Sequence, residues 1–149
     1  MNHVLLARPS SLIVNDMKKL MSATGHLPTP IKAIEELDHY AESVISGIVV
    51  STALSSPVKE KYWEVISEVI KRFPKKPIFL ASYASVKSTI VTAKARFMEF
   101  NIQRRLVSLQ EVNEQFSPEQ DILILTQAEI SDDARFEAIL GIISRIMNL

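Results

Sequence analysis

Arg8, Ser10, Ser51, Thr52, Ser55, Ser82, Tyr83 and Ser108 are the residues of this chain whose types and positions could act together. They fall at or just past the ends of apolar runs: "HVLLA", "ISGIVVS", "PIFLAS" and "IQRRLVSL". In an open parallel sheet, ligands bind outside the carboxyl ends of the strands, so these side chains are expected on one rim. A guanidinium, a set of hydroxyls and the helix N-termini behind them are donors suited to a small anion or another polar ligand. Serines in strand-to-helix turns also cap helices, and that structural role competes with ligand binding at each position. Acid–base catalysis is poorly served, because the expected rim holds no carboxylate or histidine and nothing there titrates near neutrality.

Several other chemistries lack their residues. The only glycines are Gly25, Gly47 and Gly141, so neither G-x-G-x-x-G nor a P-loop is present. Both need glycine where backbone amides approach phosphates. The chain has no cysteine, which excludes disulfides, thiolate nucleophiles and cysteine-ligated metals. His3, His26 and His39 form no metal-ligand spacing, and no cofactor or metal is expected. His39, flanked by Glu35 and Glu42, reads as part of a solvated helix face. Glu35/Glu36 and Asp132/Asp133 read as helix-start acids. The cations Lys71, Arg72, Lys75 and Lys76 surround a helix end.

The length of 149 residues suits one α/β domain, and an apolar share of 47% supplies its core without staples. Lys plus Arg and Asp plus Glu number 17 each, so no global basic field exists to drive nucleic-acid binding. "MNHVLLARPSS" has too short an apolar run for a signal peptide, and no run approaches a membrane span. The expected location is cytoplasmic, with no membrane partner.

Strands alternate with helical periods. The expected elements are a strand at His3–Ala7, then a helix from Leu12 to Thr24 with Ile13, Met17, Leu20 and Met21 on one face and Gly25 as its stop. Ile31–Ile34 reads as a short edge strand followed by a helix over Glu35–Ser43, with one longer helix opened by Pro30 as the alternative. Ile45–Ser51 is a central strand buried on both faces. Pro57–Phe73 is a helix with Ser56 as N-cap and Pro57 at its first position. A strand at Pro77–Ser82 precedes a helix capped by Ser85. Ile102–Leu109 and Asp121–Thr126 are further strands, joined by a polar stretch with one helical turn at Ser117–Gln120. A final helix opens near Ser131. This pattern predicts a three-layer α/β/α sandwich around a mostly parallel sheet of five or six strands. The Asp121–Thr126 strand follows its predecessor without a long helix, so it is expected to pair antiparallel at an edge or to lie beside that strand after a tight excursion.

The order and spacing of these elements, chiefly "GIVVST" and "PIFLAS", resemble a response-regulator receiver domain of flavodoxin-like fold. The resemblance covers roughly Val4 to Ser108, with residues 109–126 as an extra segment before the last helix. Active receivers carry a magnesium-binding acid pair after the first strand, where this chain has Ala7–Ser10. A phospho-accepting aspartate ends their third strand, where Ser51 or Thr52 stands here. Ser82 matches the Thr or Ser ending their fourth strand, and Ser108 stands where a lysine ends the fifth. The resemblance therefore implies a non-catalytic pseudo-receiver acting through a protein partner or as a homodimer. The expected contact face holds Lys87, Lys94, Arg96, Arg104 and the C-terminal helix.

Overall fold

The computed structural model describes residues 2–10 and 14–149. Expectations for Ser11, Leu12 and Ile13 fall outside them. Six strands form one sheet: β1 (His3–Arg8), β2 (Leu27–Pro30), β3 (Ile45–Ser51), β4 (Ile78–Ser82), β5 (Arg105–Val107) and β6 (Asp121–Thr126). Their spatial order is β2-β1-β3-β4-β6-β5, and every neighbouring pair is parallel. The helices are α1 (Val14–Ala23), α2 (Tyr62–Arg72), α3 (Val86–Glu99), α4 (Gln127–Ile130) and α5 (Phe136–Met147).

Alternation along the strands divides the core in two. Leu5, Ile48, Val50, Ile78, Leu80, Ile122 and Ile124 pack on one face against α2 and α3, through side chains such as Val65, Ile66, Val69 and Phe97. Val4, Leu6, Val49, Phe79, Leu123 and Leu125 pack on the other against Met17, Leu20 and Met21 of α1 and Ile139, Ile143 and Ile146 of α5. Successive side chains of a strand point to opposite faces, so near-continuous apolar runs are what a sheet covered on both sides requires. Gly47 of β3 admits Phe79 from β4: a Cβ there would lie 3.0 Å from Phe79 Cε2 and 3.4 Å from Met147 Sδ.

The helix ends follow local rules. Gly25, at φ +85°, closes α1, with Gly25 N donating to Ser22 O and His26 N to Met21 O. Ser85 Oγ accepts from Ser88 N at 3.2 Å and caps α3 as expected. Asn101, at φ +54°, turns the chain out of α3. Thr126 and Glu129 form a capping box at α4, and Asp132 caps the short turn that leads into α5.

Three expectations are corrected, and a fourth is decided between its two alternatives. The second strand is Leu27–Pro30, so both prolines lie on an edge strand, where a missing N–H costs little. Neither α-helix expected after it forms; two 3₁₀ turns, Ile34–His39 and Glu42–Val44, replace them. Glu36 holds the first by accepting from the amides of Lys32 and Ala33. The helix expected from Pro57 begins at Tyr62, and Ser56 caps only a local turn by accepting from Val58 N. Of the two placements expected for Asp121–Thr126, the second holds: it lies beside β5, parallel to it and inserted between β4 and β5, and does not pair antiparallel at an edge. The connection over residues 108–120 is long enough for a parallel crossover without a helix, and buried Phe116 seats it on the α1/α5 face. Asp121 secures its end, taking Arg105 Nε at 2.9 Å and Ser117 N at 2.9 Å.

Candidate functional site: the carboxyl edge of the sheet

The strand order reverses between β1 and β3, and the carboxyl side of such a switch point is where open α/β sheets place ligands. Here that point is filled from within. The register slips between Leu6 and Arg8, a bulge of the kind that re-aims a side chain. Arg8 is only 4% exposed. Its Nη1 donates to Ser51 O at 2.9 Å and to Ala53 O, and its Nε donates to Glu60 O at 2.9 Å. Burial holds the guanidinium below its ordinary pKa. Among the described residues no carboxylate pairs with it, so carbonyl dipoles meet its charge. The rigid fork of an arginine suits this three-point contact, and a lysine point charge does not.

The hydroxyls behave similarly. Ser51 Oγ accepts from Ala53 N at 3.1 Å. Ser10 is buried, and its Oγ lies 2.6 Å from Tyr83 Oη. Ser82 Oγ accepts from Ala84 N and bonds Thr89 Oγ1 at 2.8 Å, while Thr89 Oγ1 donates to Ser85 O. Thr52 and Ser55 are the rim hydroxyls without a side-chain hydrogen bond among the described residues. Ser108 stands apart: it follows the edge strand and caps its own turn, bonding Glu111 Oε1 at 2.9 Å.

Because β6 lies beside β4, Thr126 ends a strand at the rim and Gln127 opens α4 there. Two carboxylates come with them, which strand-end reasoning missed. Glu129 is buried and accepts from Thr126 N and Oγ1, and Asp16 of α1 accepts from Gln127 Nε2 at 3.1 Å. The Thr126–Glu129 spacing is a capping-box signal legible in the sequence. The Asp16–Gln127 contact spans the chain and has no local signal. Among the described residues no cluster of three or more metal-ligating side chains is placed to hold an ion.

Beside the rim, between α2 and α3, lies a mostly apolar groove with a volume of about 340 Å³, reached from Thr52 and Ser82 and walled by Tyr62, Trp63 and Arg96. The Arg96 guanidinium carbon sits 4.5 Å from the Trp63 ring centroid. Arg96 thus faces inward from the expected partner surface. Arg104 donates to Pro74 O at 3.3 Å, and burial lowers its pKa. Lys87 and Lys94 remain exposed on the outer face of α3, at helical spacing with Val91 and Met98, which are 66% and 83% exposed.

The architecture is that of response-regulator receiver domains. A receiver protein from Sinorhizobium medicae WSM419 superposes with a TM-score of 0.58 at 18% identity, over 99% of this chain and 94% of that one. A receiver domain protein from Clostridium thermocellum gives 0.57 at 14% identity, over 99% and 95%. The signal receiver domain of an HD domain-containing protein from Pseudomonas fluorescens Pf-5 gives 0.55 at 8%, over 97% of each chain. At these identities the likeness is one of fold. No protein-family model and no curated protein matches the sequence. Among the described residues no helix is long and apolar enough to cross a membrane.

Proposed function

We propose that this chain is a non-catalytic signalling module of pseudo-receiver type, one receiver-like unit that acts in the cytoplasm through protein contacts. Arg8 carries the proposal. A receiver that phosphorylates itself needs acids after its first strand to hold magnesium and an aspartate at the end of its third. In this chain a buried guanidinium ends the first strand and Ser51 ends the third. A fixed positive charge bonded to the β3–α2 loop opposes a divalent cation at the same place, because like charges there repel. The loop that a phosphorylated receiver would rearrange is instead tied at Ala53 and Glu60.

The outer face of α3 fits the contact surface. Val91 and Met98 are apolar side chains in water, bracketed by Lys87 and Lys94. The complementary partner is a protein surface with an apolar anchor flanked by carboxylates.

Incubation with magnesium and acetyl phosphate, read by intact mass, tests the central proposal. The expected result is no phosphoryl adduct. An acid-stable, base-labile adduct on any aspartate overturns it.

A further inference from the structure

We propose that the groove between α2 and α3 binds a small aromatic carboxylate, with Trp63 against the ring and Arg96 and Tyr62 on the carboxylate. This goes beyond the pseudo-receiver reading and stands independently of it.

Three features of the groove point to such a ligand. First, its polarity is sparse and one-signed. Among the described residues Arg96 is the only charged one lining it, and the hydroxyls of Ser82 and Thr89 there are bonded to each other. An apolar pocket of a few hundred Å³ with few convergent polar groups is the ordinary form of a small-molecule site. Second, Tyr62 is 8% exposed, yet its hydroxyl makes no hydrogen bond among the described residues, and the residue lines the groove. The Tyr62 oxygen is reached by water, and a carboxylate in the groove would replace that water as its acceptor. Burial pushes the Tyr62 phenol up, which keeps it a donor at neutral pH. Third, the aromatic wall is fixed. Tyr62 and Trp63 meet edge to face with centroids 5.0 Å apart, and Phe100 lies 6.5 Å from Trp63.

Arg96 is available for an anion. Its one ion pair, to Glu99 at 3.3 Å, joins two exposed side chains and is weak in water. A guanidinium stacked on an indole still presents its N–H edge to a carboxylate. Leu54, 98% exposed, stands at the mouth of the groove, and a bound ring would give it a surface to cover. Arg8 holds the loop that carries it, through Ala53 O and Glu60 O.

Trp63 is the only tryptophan, so one indole N–H resonance reports the site. The experiment titrates ¹⁵N-labelled protein with benzoate, benzyl alcohol and acetate. Benzoate is expected to move the indole peak saturably, benzyl alcohol to bind roughly tenfold more weakly, and acetate to leave the peak in place. Arg96→Gln is expected to weaken benzoate roughly tenfold without changing benzyl alcohol, and Tyr62→Phe to weaken benzoate roughly threefold. The comparison among the three probes needs only the unaltered protein, so it stands even where a variant misfolds. Benzoate leaving the peak in place, acetate moving it as far as benzoate does, or undiminished benzoate binding by a folded Arg96→Gln protein would each overturn the proposal.

Discussion

Arg8 and Ser51 end neighbouring parallel strands, and Arg8 Nη1 donates to the Ser51 carbonyl oxygen at 2.9 Å across the point where the strand order reverses. The same side chain reaches the carbonyls of Ala53 and Glu60, so one buried cation ties the end of the sheet to both ends of the loop before α2. A group that reads as a ligand-binding charge in isolation serves the fold.

Replacing Arg8 tests how much that tie contributes. Arg8→Met keeps the aliphatic stem and removes three charge-assisted bonds, and it is expected to cost about 2–4 kcal/mol. Arg8→Lys should recover less than half of the loss, because an ammonium cannot span three diverging acceptors. Urea unfolding checks both, through the midpoint at constant slope. A loss below about 0.5 kcal/mol for the methionine variant would mean that water replaces the guanidinium without penalty.

Gly47 is a packing requirement. A methyl group there meets the ring of Phe79 at 3.0 Å on a fully buried neighbouring strand, so Gly47→Ala is expected to cost about 1–3 kcal/mol through overpacking. In a Phe79→Leu background the same change should cost markedly less, because the clashing Cε2 is gone. A double-mutant cycle by thermal unfolding measures this coupling, and strict additivity would contradict it.

The cluster around Arg72 sets a pH response. Arg72 binds Asp38 at 2.7 Å and also pairs with Glu68. Hydrogen bonds from Arg72 are the main cause holding both carboxyls below their ordinary range. A carboxyl with a depressed folded pKa contributes stability that is present above its unfolded pKa and lost as pH falls through the folded one. The melting temperature of the wild-type protein should therefore exceed that of Arg72→Gln at neutral pH. The gap should close as pH falls below the ordinary carboxylate range. High salt should narrow it as well, because the groups are partly exposed. A gap that persists at the acid end would assign the effect of Arg72 to packing.

Layers and faces were legible because they depend on short-range pattern. The run Ile45–Ser51 suits a strand buried on both sides, and the stripe Val65, Ile66, Val69 suits a helix face. Gly25 and Ser85 announced their helix ends through backbone geometry and side-chain capping, which are local properties. The start of α2 misled, because Ser56–Pro57 is a sound local helix opening, yet the tertiary contact from Arg8 to Glu60 O favours an irregular loop up to Tyr62.

The amino-acid sequence by itself determined an α/β sandwich with a hydroxyl-rich carboxyl edge and without cysteine, P-loop or dinucleotide chemistry. Only the tertiary structure decided that β6 enters between β4 and β5, which moves Ser108 to the periphery and brings Thr126 and Gln127 to the rim. It also decided that the acceptors of Arg8 are backbone carbonyls. Carbonyls are identical at every residue and leave no trace in residue types, and the pairing partner of a strand depends on contacts far along the chain. Both are consequences of packing, to which local periodicity is blind.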